Sequence, residues 1–247
     1  MSGSPRDHLT FGDSLAAHVA RRESQIVLGL DPDPARLWPA ASGSGRVAAD
    51  DALLEFILAT AGRLGADVAS VRVSAQASVA VLEHCRAVID AVGPACVALK
   101  PQAACFERLG AAGWLVLEAV CRHARSAGLL VLLDGKRGDV PVTASVYGEA
   151  MLSGAPSPFG RLPGLGADAM TGNPLLGRDA MTALVEAARA GGRGVFASCA
   201  RPTPGPRTSW TSRCKTAAAC GSTSLVWSRR SARAGAGRRQ DSRTSGR

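Results

Sequence analysis

Four charged residues crowd the stretch from Leu129 to Thr143, LLVLLDGKRGDVPVT, and their order limits the chemistry they could do. Asp134, Lys136 and Asp139 alternate carboxylate, ammonium, carboxylate, an arrangement in which each charge favours the ionised form of its neighbour. A cation held in this way can donate a proton to a developing carbanion. Two more charged residues end apolar runs elsewhere, Asp31 after QIVLGL and Lys100 after ACVAL. If the fold brings these strand ends together, positive and negative groups alternate in a small volume, the usual composition of a site with tuned ionisation.

Each residue also has an ordinary reading. A charged residue after a strand is commonly a solvated loop residue, and that is the default for Asp31 or Lys100 alone. For the Asp-Lys-Asp set the rival is a surface ion-pair cluster. Its place directly after five apolar residues, Leu129 to Leu133, argues for a site. Arg137 reads as structural or solvated. His8, His18, His84 and His123 fall on predicted helices or the N-terminal arm and are not taken as catalytic. The seven cysteines, at 85, 96, 105, 121, 199, 214 and 220, show no CxxC and no histidine at ligand spacing. They read as free thiols in a reducing compartment, with Cys105 and Cys121 in or near the core, and no metal site is expected. The Gly-rich run 160–166, GRLPGLG, precedes a strand, whereas a phosphate-cradling loop should follow one and open a helix.

The elements that must position these residues read as alternating strands and helices. Asp13-Ser14 caps a short helix around Leu15 to Val19 that closes one end of the fold. Gln25–Leu30 is a first strand, stopped by Pro-Asp-Pro. A small-residue loop at 40–49 leads to Asp50-Asp51, the N-cap of the helix DALLEFILATAGRLG. Val68 to Val92 fits strand or helix at first, and helix from about Ala75. Ala95–Leu99 is the second strand, Leu109–Ala127 a helix with Gly128 as its stop, and Leu129–Leu133 the third strand. That order is a parallel βαβ unit. A helix ASVYGEAML follows Thr143, then a loop at 153–166, a fourth strand Ala167–Thr171 ending in Gly172-Asn173-Pro174, a helix Arg178–Ala190 and a fifth strand Gly194–Ala197. Ligands of α/β sheets and barrels bind where such strands end.

Past Ser198 the pattern stops. Residues 1–199 carry 18 Lys+Arg against 19 Asp+Glu, while 200–247 carry 11 against the single Asp241. The net charge of +9 therefore belongs to the tail, and the body has no electrostatic footprint for nucleic acid. The tail, rich in Arg, Ser, Thr, Ala and Gly, holds too little apolar surface to offset the entropy of ordering, so 199–247 is expected to be disordered. With no run of membrane-spanning length and no hydrophobic leader, the chain reads as cytosolic.

LGLDPDP, VALKPQAACFERLG, DGKRGDVPVT and GADAMTGNPLLGRDA, in this order over roughly residues 10–198, together resemble orotidine 5′-phosphate decarboxylase, in its bacterial subgroup with a long first β-to-α connection. The resemblance implies a (β/α)8 TIM barrel, here with about five parallel strands, that converts orotidine 5′-phosphate to UMP without cofactor or metal. It implies Lys136 as proton donor to C6 of the pyrimidine and Asp134 against the departing carboxylate. Lys100 would hold the charge network and the ribose, Asp31 a ribose hydroxyl, and Asn173 would stand near the pyrimidine. Asp139 and Thr143 would reach into the partner subunit's site, making the active form a homodimer.

The family pattern continues after the fifth strand with an Arg-Thr-Ser-Asn-Pro-Gly-like block, three further strands, and a Gly-rich loop and an Arg that grip the phosphate. Here the fifth strand runs into ASCARPTPGP. We expect a reading-frame shift near residues 197–200, a domain of 1–198 that is an incomplete barrel, and little or no activity and poor solubility for this polypeptide. Two alternatives are carried forward: a non-catalytic chain whose basic tail binds nucleic acid, with a strong salt dependence as its marker, and a sugar-phosphate lyase of the same superfamily.

Overall fold

The computed structural model describes residues 10–37, 51–198 and 225–226. In chain order the elements are α1 (Phe11–Arg22), β1 (Val27–Leu30), α2 (Asp51–Arg63), α3 (Val68–Val92), β2 (Ala98–Pro101), α4 (Ala103–Glu107), α5 (Ala111–Ser126), β3 (Leu130–Arg137), α6 (Pro141–Gly148), β4 (Ala155–Ser157), β5 (Gly160–Leu162), β6 (Ala169–Gly172), α7 (Arg178–Ala190), β7 (Gly194–Ala197) and β8 (Leu225–Val226). A π-helical turn, Glu149–Ser153, continues α6, and a 3-10 turn, Pro174–Leu176, follows β6.

Five strands pair in parallel in the order β1-β2-β3-β6-β7, each beside its predecessor. Short apolar strands can pair this way only if helices return the chain, and α5 and α7 do so between β2 and β3 and between β6 and β7. An order that never reverses belongs to a (β/α) barrel rather than a doubly wound sheet. The barrel is open: among the described residues β1 pairs with β2 alone, and β7 takes Leu225–Val226 as an antiparallel neighbour.

The core lies between sheet and helices. Val81, Leu82, Cys85 and Ile89 of α3 and Val116, Leu117, Val120 and Cys121 of α5 pack with Leu99, Val131 and Leu133. Burial pushes the Cys85 and Cys121 thiols up to about 12, which makes them packing residues. Beneath the strands, Phe11 packs with Val97, Ala98, Leu130 and Ala169 and meets the Phe196 ring edge-on at 5.8 Å. All four lie at or beside strand N-termini, so α1 closes the end opposite the charged residues, as its position in the sequence suggested. Its last turn is fixed by Arg22, which donates to the carbonyls of Gly93 and Ala127.

Four expectations need correction. The α1 cap is Thr10, and Asp13 closes a capping box onto it from three residues inside. Helix α3 begins at Val68, not near Ala75, because the Asp67 side chain caps it by accepting from Ala69 N–H. Thr143 lies within α6, which Pro141 opens, rather than before a helix. The loop at 153–166 contains the two-stranded hairpin β4–β5. The loop at 40–49, Asp50, His8 and, apart from Leu225–Val226, the tail lie outside the described residues.

Candidate active site

Strand β3 is longer than its apolar run. It continues through Asp134 to Arg137 because its pairing with β6 slips: Leu133 faces Met170, yet Arg137 faces Gly172. Three residues of β3, Asp134 to Lys136, therefore stand opposite the single Thr171, a bulge at the sheet's carboxyl end. Lys136 takes a φ of 47°, a left-handed conformation that is uncommon for a residue with a side chain. Its N–H donates to the Thr171 hydroxyl at 2.9 Å.

Asp134 is the hub. Its Oδ2 accepts from Lys100 Nζ at 2.6 Å, and its Oδ1 accepts from Lys136 Nζ at 2.6 Å and Thr171 Oγ1 at 2.8 Å. Gln102 Nε2 lies 3.4 Å from Oδ2. The Asp134 side chain is 8% exposed, against 34% for Lys100 and 55% for Lys136. Burial alone would raise its pKa. The hydrogen bonds from Lys100, Lys136 and Thr171, with the charge of Lys100, outweigh burial and hold it at about 2. The result is a permanent carboxylate between two ammonium groups, of which Lys136 is the more open to solvent.

The remaining residues take different places. Asp31 is exposed just beyond β1, next to the strand that carries Lys100. Asn173 follows β6; its N–H donates to Arg137 O at 2.7 Å, and its side-chain oxygen accepts from Leu175 N–H. Asp139 precedes α6 and Thr143 lies in its first turn, both outside the contacts of Asp134, and an Asp139 oxygen accepts from the adjacent Val140 N–H. Arg137 is structural, pairing with Glu107 and stacking over the Tyr147 ring at 5.5 Å. The fold thus gathers Lys100, Asp134 and Lys136 into one cluster, with Asp31 and Asn173 beyond the ends of neighbouring strands. Thr171 and Gln102 were not singled out from sequence. Their one signal there is position, each beside a strand end already marked by Lys100 or Asn173. Among the described residues no group of three metal-ligating side chains could hold an ion, and no helix is long and apolar enough to cross a membrane.

Parallel strands in sequential order, with a Lys-Asp-Lys cluster at their carboxyl ends, define a (β/α)-barrel protein, a fold whose ligands bind at that face. The chain belongs to the orotidine 5′-phosphate decarboxylase / HUMPS family, whose model matches residues 25–209. It is 39% identical over 200 residues to orotidine 5′-phosphate decarboxylase of Rhodopirellula baltica, covering 80% of this chain and 56% of that one. It is 44% identical over 109 residues to that of Deinococcus radiodurans, covering 44% and 37%. A crystal structure from Streptomyces avermitilis, described as the same enzyme, superposes with a TM-score of 0.56 at 29% identity, covering 83% of this chain and 57% of that one. The chain thus spans about half the length of the relatives it matches.

Proposed function

We propose that this chain carries the proton-donating centre of an orotidine 5′-phosphate decarboxylase in pyrimidine biosynthesis. The observation behind this reading is the Asp134 carboxylate, held ionised at about 2 between Lys100 and Lys136. The substrate's C6–carboxylate bond breaks, carbon dioxide leaves, and the electron pair stays on C6. Lys136 then gives its proton to C6, yielding UMP, and recovers a proton from solvent. A fixed ammonium stabilises the developing carbanion without reorganising, while Asp134 disfavours the bound carboxylate more than the neutral product. Lys100 keeps the pair balanced and faces the ribose, with Asp31 on a ribose hydroxyl and Asn173 near the base. No cofactor or metal takes part.

The site is completed across a homodimer. Asp139 and Thr143 bracket Val140 and Val142, residues 55% and 79% exposed, an apolar surface suited to a second copy. The protein is placed in the cytoplasm, where its thiols stay reduced.

The expectation of low activity sets the assay. Enzyme in excess over orotidine 5′-phosphate, followed by absorbance loss in a single turnover, should show a rate that Lys136→Ala abolishes. Equal rates reject Lys136 as donor. Mixing Lys136→Ala with Asp139→Ala should restore activity that neither variant has alone. Turnover of a sugar phosphate instead would favour the lyase reading.

A further inference from the structure

We infer that Thr171 is a positioning residue for Lys136, a role that rests on the decarboxylase reading but is visible in the geometry by itself. The bulge in β3 removes Lys136 from the regular ladder with β6, so its N–H lacks the carbonyl a regular pair would supply. The Thr171 hydroxyl takes that place, accepting from Lys136 N at 2.9 Å while donating its own proton to Asp134 Oδ1 at 2.8 Å. One hydroxyl thereby fixes both ends of the Asp134–Lys136 pair, which the Nζ–Oδ1 contact of 2.6 Å closes into a ring of three hydrogen bonds.

The ring accounts for two features of the cluster. A left-handed lysine backbone is strained and persists only where its surroundings over-determine it. The Thr171 bond holds the Lys136 amide in that state. Asp134 Oδ1 also needs a donor besides Lys136 to stay aimed while the ammonium moves toward a substrate, and Thr171 supplies one. The hydroxyl's only proton and one of its lone pairs are used inside the cluster, so Thr171 cannot donate to a ligand and acts through Lys136 and Asp134.

Three forms of the full chain test this: wild type, Thr171→Val, which keeps the shape and removes the hydroxyl, and Thr171→Ser, which keeps the hydroxyl. In single turnovers of orotidine 5′-phosphate, Thr171→Val should lower the maximal rate by roughly 10–100-fold, the scale of a small misplacement of a reacting group. The substrate concentration at half-maximal rate should change little. Thr171→Ser should return to within about threefold of wild type. Amide hydrogen exchange gives a readout that needs no substrate. The Lys136 N–H should exchange about tenfold faster or more in Thr171→Val and at the wild-type rate in Thr171→Ser, with the other β3 amides unchanged. Equal impairment in Val and Ser variants, or a Lys136 amide indifferent to Thr171→Val, overturns the assignment. If wild type turns over no substrate, as an incomplete barrel lacking its phosphate grip would, the exchange data alone decide the role of Thr171.

Discussion

Lys100 and Lys136 each place Nζ 2.6 Å from a different oxygen of Asp134, so one carboxylate fixes two ammonium groups at once. Asp134→Asn keeps the shape and removes the charge, leaving two cations facing each other across an amide. Breaking a largely buried pair from one side leaves uncompensated charge, and because both lysines reach solvent the loss should be about 2–3 kcal/mol. Urea unfolding of the variant against wild type measures it. An unchanged midpoint would mean that solvent, not Asp134, neutralises the lysines.

The same carboxylate gives stability a pH signature. Its pKa in the folded chain, about 2, lies below its ordinary value of 3.8. Its contribution is therefore complete above about pH 4 and is lost as pH falls from there toward 2. The difference is worth on the order of 2 kcal/mol. The gap in unfolding free energy between wild type and Asp134→Asn should be constant from pH 7 to 5 and shrink below 4. A gap independent of pH down to 2 would contradict the paired state.

Much of this was legible in the residues and some was not, for physical reasons. Helix Arg178–Ala190 and strand Gly194–Ala197 stand where the sequence put them, because clear periodicity and Gly boundaries leave little choice. The start of α3 was ambiguous because VASVRV reads with period two, and only the Asp67 cap settles it. The β4–β5 hairpin hid behind Pro156 and Pro158, which a two-stranded ribbon tolerates because both strands are edges. Lys100, Asp134 and Lys136 could be picked out because each follows a buried run. Thr171 could not, since its role depends on a register slip between β3 and β6 that no local pattern encodes.

The floor of the fold should matter for stability and not for the charge cluster. Phe11 is 4% exposed and packs on strand N-termini, the end opposite Asp134. Phe11→Ala removes a buried ring and should cost about 3 kcal/mol. The Lys136 amide should keep its slow exchange under conditions where the variant remains folded. Loss of that protection together with the stability would show that floor and site are one cooperative unit.

Gly138 offers a sharper perturbation at the site's edge. A Cβ there would lie 2.4 Å from the Asn173 carbonyl oxygen and 3.0 Å from its Cβ. The obstacle is backbone, so it cannot step aside as a flexible side chain would, and the exit of β3 must separate from the end of β6. The bond from Asn173 N to Arg137 O, at 2.7 Å, lies directly in that path. Gly138→Ala should therefore cost about 1–3 kcal/mol, as overpacking does. It should also displace Asn173 from its strand end. Amide shifts localised to 137–139 and 171–175, with unchanged shifts in α1, would match this account. A Gly138→Ala chain with wild-type stability and spectra would show that β3 and β6 are not held this close.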